Sequence, residues 1–185
     1  GHIVGAADCL LLGLATAQVP SDSLAGLKRK LLQCHVDEID SIIKQFQCDA
    51  GQSLFAVKRQ LIDHVFADGS VESMRDRAAG LAENMPHNKL LGGIVKAFET
   101  RCPLSIKLFD RLLVETNHLI DPVAAIELDF HLALRMTKRA DFAEGVRAIA
   151  IDKDHSPQWT PNSLEAVTET MLDAVFDRSG LPSLR

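Results

Sequence analysis

Tyrosine is missing from this 185-residue chain and tryptophan occurs once, so with eight phenylalanines the aromatic share is only 5%. A recognition surface built on Tyr and Trp anchors is therefore excluded as an organising theme. Basic excess is lacking too. The formal charge is -5, and no stripe of Lys and Arg alternates with aromatics, which excludes nucleic acid as the expected partner. No uninterrupted apolar run is long enough for a membrane span. The apolar stretch 9–15 follows Asp8 and has no basic segment before it, so it reads as a buried helix and not as a secretory leader. The first residue is Gly1 rather than methionine, from which we expect an excerpt with an upstream portion removed. The four cysteines, Cys9, Cys34, Cys48 and Cys102, lack the paired spacing of a zinc site. They read as reduced, buried thiols of an intracellular protein, and no metal is expected.

What is present is an ordinary globular composition, 46% apolar and 24% charged, enough for one domain or for two smaller helical lobes. Period-two alternation is absent over any useful length, so the expected class is all-α with about ten short helices. A helix is expected over 6–16, a second after a Ser21 cap with Leu24, Leu27 and Leu31 inward, and an amphipathic third over 36–47. Leu54, Val57, Leu61, Ile62 and Val65 make the next stripe. Ser70 is placed to cap a helix carrying Val71, Met74, Ala78 and Leu81. After a loop at 84–88, Leu90, Leu91, Ile94, Val95 and Phe98 continue at helical spacing through Gly92 and Gly93. Pro103 and Pro122 suit first helical positions, where the missing N–H costs nothing. Residues 122–136 are apolar almost all round, as in a central helix or one buried against another chain. Their one polar seam is Glu127, His131 and Arg135. Asp141 with Glu144, and Asn162 with Glu165, fit capping boxes. Gly180 and Pro182 close the helical pattern.

A search for chemistry finds neither a phosphate-binding glycine loop nor a His-Glu-x-x-His zinc pattern. His64 and Asp68 read as surface groups. Cys34 and His35 are adjacent, and adjacent helical residues point about 100° apart, so they do not make a nucleophile–base pair. Cys102 stands at a helix N-terminus and reads as a small packing residue. The richest stretch is 141–159, with Asp141, Glu144, Arg147, Asp152, Lys153, Asp154 and His155 followed by Trp159 between prolines. Two compatible roles are open there. Arg147 can pair with a local acid while Trp159 pins the loop to the core, or Lys153 and Arg147 can reach phosphate oxygens.

That stretch also carries a resemblance. Asp141-Phe142-Ala143-Glu144-Gly145-Val146-Arg147-Ala148, then Ile151-Asp152-Lys153-Asp154, Pro157 and Trp159, resembles the C-terminal signature of 3-hydroxyisobutyryl-CoA hydrolases, a branch of the enoyl-CoA hydratase/isomerase, or crotonase, superfamily. Gly5-Ala6-Ala7-Asp8, Gly13-Leu14-Ala15-Thr16 running to Val19-Pro20, Phe66 with Ser70-Val71-Glu72, and Cys102-Pro103-Leu104-Ser105 resemble further segments of that family. Ala17 stands where family members often have His, and Cys102 where Ser is common.

The resemblance implies an irregular multi-helix C-terminal region without the N-terminal β/α core. Residues 1–20 would be the end of the core and the crossover, and 21–185 a C-terminal helical domain with lobes 21–100 and 101–185. The implied activity is thioester hydrolysis in valine catabolism by the intact parent, an acyl-CoA thioester hydrolase, with this piece inactive. The alternatives are part of an enoyl-CoA hydratase/isomerase or a noncatalytic helical assembly module. No catalytic residue falls in the chain, because the family's oxyanion segments and catalytic carboxylates match upstream positions. Arg147, Lys153 and Trp159 are the expected contacts to coenzyme A or to the core. No separate cofactor is implied, since coenzyme A is part of the substrate. The implied partners are an acyl-CoA substrate, the missing core and, through C-terminal helices, a homo-oligomer. The compartment would be mitochondrial for a eukaryotic source and cytoplasmic for a bacterial one.

Overall fold

The computed structural model describes residues 3–118 and 121–182, and the chain divides into two units, Gly1–Phe66 and Ala67–Arg185. Every regular element among the described residues is helical, with no strand.

In the first unit, α1 spans Ala6–Leu11 and stops well short of residue 16. Gly13 is the cause: its φ of 69° is left-handed, which glycine adopts without steric cost. Leu14 N–H then donates to Cys9 O and Gly13 N–H to Leu10 O, the paired bonds of a Schellman ending. Ser21 does not cap the next helix. It opens a 3-10 turn, Ser21–Ser23, that leads into α2, Leu24–Leu31. A second 3-10 turn, Val36–Glu38, precedes α3, Ile39–Phe46. The expected helix 36–47 is thus tightened at its start, where the Glu38 carboxylate reaches back to accept from the His35 N–H at 2.9 Å. The helix α4, Leu54–Val65, is capped by Ser53, whose Oγ accepts from Ala56 N–H at 3.0 Å.

The second unit begins with α5, Val71–Asn84, capped by Ser70, and α6, Lys89–Thr100, capped by Asn88. Gly92 and Gly93 lie inside α6 without breaking it. The helix α7, Pro103–Thr116, and α8, Pro122–Met136, both carry proline in the first turn. Asp121 caps α8, accepting from Val123 N–H at 2.9 Å. A short α9, Ala140–Val146, runs into a π-helical turn, Arg147–Ile151, and α10, Glu169–Phe176, is the last helix described.

The core of the second unit joins Leu104 and Leu108 of α7, Leu128 and Leu132 of α8, and Leu172 and Val175 of α10, with Cys102 and Val167. Leu104 is fully buried, and removing such a side chain from water is worth roughly 2 kcal/mol. The helix α8 is not buried all round: Leu128, His131 and Leu132 face inward while Val123 and Ile126 are exposed. Two residues of its polar seam meet the returning chain. Arg135 donates to the carbonyls of Asp177 and Ser179, and the buried His131 donates from Nε2 to Pro182 O at 2.8 Å.

Two expected capping boxes are not formed. Asp141 lies inside the first turn of α9, whose N-cap is Arg139, because the Asp141 carboxylate is engaged by a backbone group far along the chain. Asn162 starts no helix; Leu164 and Val167 pack inward from a turn, and Thr168 caps α10 instead. All four cysteines are free thiols, but only Cys102 is buried; Cys9, Cys34 and Cys48 are half-buried because they lie beside the thinner packing of the first unit.

Candidate functional site

The stretch 141–159 folds around one guanidinium. Arg147 follows α9 by one residue, so its side chain lies over the turn before it, where Glu144 sits one helical turn back. Arg147 Nε and Nη2 each donate to the Glu144 carboxylate at 2.8 Å, a two-pronged match of fork to carboxylate. Nη1 donates to Asp152 Oδ2 and to Asp154 Oδ2, both at 2.6 Å. Nη2 also reaches Ser156 O at 3.3 Å.

The loop that supplies these acids is closed by its own backbone. Asp152 N–H donates to Arg147 O at 2.8 Å and His155 N–H to Ala148 O at 3.1 Å. Ser156 N–H donates to Asp154 Oδ1 at 2.9 Å. Lys153 and His155 adopt left-handed backbone, with φ of 57° and 54°, a conformation costing roughly 1–2 kcal/mol at each non-glycine residue. The bonds to Arg147 offset that cost. The side chains of Lys153 and His155 stand in solvent between the acids that Arg147 gathers.

The electrostatics follow the geometry. Hydrogen bonds from Arg147, then from Gln158 N–H, draw the Glu144 carboxyl down to about 2. Arg147 chiefly, then the Ser156 N–H, holds Asp154 below the usual carboxylate range. The three acids raise Arg147 above its ordinary value, Glu144 most of all. Its donors are engaged inside the chain.

Trp159 forms the other side of the site. Its Nε1 donates to Thr100 O at 3.0 Å, at the end of α6. Its ring lies on α9 at Gly145, where an added Cβ would stand 3.2 Å from the ring edge. The glycine therefore lets the indole approach the helix. Asp141, 5% exposed, accepts from Thr160 N–H at 2.8 Å and pairs with Arg139 at 3.6 Å. Beside Trp159 opens an apolar groove of about 530 Å³. Leu108, Met136, Phe142, Val146 and Ile149 line it with the indole, and Cys102 and Asp141 border it.

Arg147, Lys153 and Trp159 thus share one segment, but they play different geometric parts: Arg147 gathers the acids, Lys153 projects outward and Trp159 walls the groove. Periodicity and motif reasoning did not single out the groove itself. Its signal was the spacing of Phe142, Val146 and Ile149 at i, i+4 and i+7, which shares one face of the helix. The other candidates are not assembled into chemistry. Cys34 Sγ is directed at Leu31 O, and among the described residues no group of three or more His, Cys, Asp or Glu could hold a metal ion. No described helix is long and apolar enough to cross a membrane.

A family model described as enoyl-CoA hydratase/isomerase matches residues 1–176. The mitochondrial 3-hydroxyisobutyryl-CoA hydrolase of Danio rerio is 29% identical over 180 residues, covering 91% of this chain and 45% of that protein. The human mitochondrial 3-hydroxyisobutyryl-CoA hydrolase is 28% identical over 187 residues, covering 96% of this chain and 47% of that protein. The chain spans about half the length of the curated relatives it matches. Among solved structures, a carnitinyl-CoA dehydratase from Mycobacterium thermoresistibile superposes with a TM-score of 0.82 at 21% identity, covering 98% of this chain and 50% of that one. An enoyl-CoA hydratase from Rhodobacter sphaeroides 2.4.1 gives a TM-score of 0.77 at 24% identity, covering 96% of this chain and 49% of that one. At these identities the two likenesses establish the fold: an all-α, multi-helix arrangement seen in crotonase-like enzymes.

Proposed function

The chain belongs to the enoyl-CoA hydratase/isomerase family, and from that premise we propose that it is the C-terminal helical half of a 3-hydroxyisobutyryl-CoA hydrolase, serving thioester hydrolysis in valine catabolism. The observation that carries this reading is that relatives matching nine-tenths or more of the chain bear that hydrolase name. Residues 1–20 then end the catalytic core and cross into the helical domain 21–185. The oxyanion donors and the catalytic carboxylates belong to the other half. This half holds no catalytic group, and Cys34, His35 and Cys102 take no part in the chemistry.

Thioester hydrolysis passes through a negatively charged intermediate, which preformed N–H donors stabilise while a carboxylate manages the proton of water or of the acyl group. The helical half contributes by placing its 141–159 segment against coenzyme A or the core. Lys153, exposed on the loop, supplies a point charge to phosphate oxygens. Arg147 and Trp159 act by fixing the loop that carries Lys153, one by drawing in three acids and the other by anchoring to α6. A eukaryotic source would place the enzyme in the mitochondrion and a bacterial one in the cytoplasm.

Thiol release from 3-hydroxyisobutyryl-CoA tests the reading, run on this chain and on the polypeptide that carries it together with the other half. Turnover confined to the longer polypeptide is expected. Turnover by the 185-residue chain alone would overturn the assignment of catalysis to the other half. Turnover by neither would move the assignment to the hydratase branch or to a noncatalytic assembly module.

A further inference from the structure

The turn that leads into α5 is pinned at both ends and left open in the middle. At its start, Ala67 O accepts from Arg77 Nη2 at 2.6 Å. At its end, Ser70 O accepts from Ser73 Oγ at 2.7 Å, and Ser70 Oγ caps α5 by accepting from Ser73 N–H at 3.2 Å. Between these points stand Asp68 and Gly69, both exposed. Among the described residues, neither the Asp68 carboxylate nor the Gly69 N–H has a hydrogen-bond partner.

Glycine is required at that point. Its φ is 139°, a backbone that residues with a side chain rarely adopt. An added Cβ would also stand 2.5 Å from Ser73 Oγ and 3.5 Å from Arg77 Nη1. A larger residue would therefore push Ser73 off the Ser70 carbonyl that it holds. The side chain missing at Gly69 is also what leaves its amide nitrogen open to the preceding carboxyl. This is the sole Asp-Gly step in the sequence, which has no Asn-Gly step. Asp49 offers a contrast: Ala50 follows it, and its carboxylate is occupied by Gly51 N–H at 2.9 Å. Asp40 is followed by Ser41 within α3, where the backbone is held helical.

We propose that Asp68 is a site of spontaneous isomerisation to isoaspartate. The Gly69 nitrogen attacks Cγ of the protonated Asp68 carboxyl. A C–N bond forms, the C–OH bond breaks and water leaves with the amide proton, closing a five-membered succinimide. Water then adds to either ring carbonyl. Addition at Cγ restores aspartate. Addition at the main-chain carbonyl breaks its bond to nitrogen and routes the chain through Cγ, leaving a free α-carboxylate. Water is the sole co-reactant, and nothing is oxidised or reduced. The product carries an extra methylene in the main chain between Ala67 O and Ser70 O, the two points that Arg77 and Ser73 hold. Both bonds no longer fit at once, and α5 loses its Ser70 cap. The new α-carboxylate is the group on which a carboxyl methyltransferase selective for isoaspartate acts.

The test incubates the longer polypeptide that carries this chain in neutral buffer. Samples are treated with an isoaspartyl carboxyl methyltransferase and labelled S-adenosylmethionine, and the label is mapped after tryptic digestion. Label is expected to accumulate with time in peptide 60–75, which contains Asp68. It is expected to be lost from that peptide in Asp68→Glu, which keeps the charge but would have to close a six-membered ring. Absence of label from peptide 60–75 would overturn the proposal. Label that survives Asp68→Glu would overturn it too, by placing the reaction at Asp63. Hydrogen exchange on the isomerised fraction reads the consequence: amides in the first turn of α5 should exchange about five-fold faster than in fresh protein. Unchanged exchange there would overturn the loss of the Ser70 cap.

Discussion

The unit Gly1–Phe66 is held by a carboxylate, whereas Ala67–Arg185 surrounds a continuous apolar core. In the first, the buried Asp8 of α1 accepts from Ser53 Oγ at 2.6 Å and from Phe55 N–H at 3.1 Å, tying the helix to the start of α4. Those bonds, that from Ser53 first, hold Asp8 below its ordinary range. Few side chains of that unit are buried: among the described ones, Ile42 and Val65 join Asp8. In the second, three helices meet through Leu104, Leu128 and Leu172, and charge networks such as that of Arg147 decorate the surface. A short set of helices with little apolar area to bury relies on a directional polar bond, while a larger one can rely on area.

Breaking the core of the second unit should have the largest effect. Leu104→Ala is expected to cost about 3 kcal/mol, read by denaturant unfolding with Trp159 fluorescence, which reports this unit because the chain has no other tryptophan. A loss below about 1 kcal/mol would mean that the site collapses around the deletion.

Acid should act next, and more on the second unit than on the first. Glu144 and Asp154 bind protons less readily in the folded chain than in the unfolded one. Their stabilisation is therefore complete above the ordinary carboxylate range and is lost as pH falls, from about 5 downward, towards the value of about 2 at Glu144. Glu72, Glu165 and Asp177 are also depressed, by Lys107, Arg75 and Ser179 respectively. The Trp159 signal should shift through that window, and Arg147→Met should flatten its dependence on pH. A signal indifferent to pH down to about 2 would contradict the Arg147 network.

The smallest effect sharpens the contrast. Ser53→Ala removes both an N-cap and the shortest bond to Asp8, and is expected to cost about 1 kcal/mol. Hydrogen exchange should accelerate about five-fold in α1 and the first turn of α4, with Trp159 unfolding unchanged. Equal acceleration in α7 and α8 would show that the two units unfold together.

Much of the fold was legible because its signals act over a few residues. Ser70 caps the helix its sequence neighbours suggest, and Pro103 and Pro122 start theirs. The apolar stripes of α5 and α6 fall where their spacing places them, whereas Leu54 and Val57 of α4, Phe109 and Leu113 of α7, and Val123 and Ile126 of α8 stay exposed. The misreadings share a cause. Asp141 has the spacing of a cap, yet Thr160 N–H, nineteen residues on, takes its carboxylate; Asn162 yields to Thr168 because Leu164 and Val167 are drawn into the core. At 141–159 the pairing of Arg147 with a local acid was legible, since Glu144 lies one turn away. The convergence of Asp152 and Asp154 on the same guanidinium was not, because it depends on the left-handed turns at Lys153 and His155.

Sequence by itself determined that the chain is helical, where most helices begin, and which family its 141–159 segment resembles, since propensity, capping and motif are properties of neighbours along the chain. Only the tertiary structure decided that Asp8 would meet Ser53, that the indole of Trp159 would lie on Gly145 and bond to Thr100, and that Phe142, Val146 and Ile149 would edge an open groove. Those features join groups far apart in sequence, and a hydrogen bond or a concavity exists only once the packing of whole helices has fixed the distance between them.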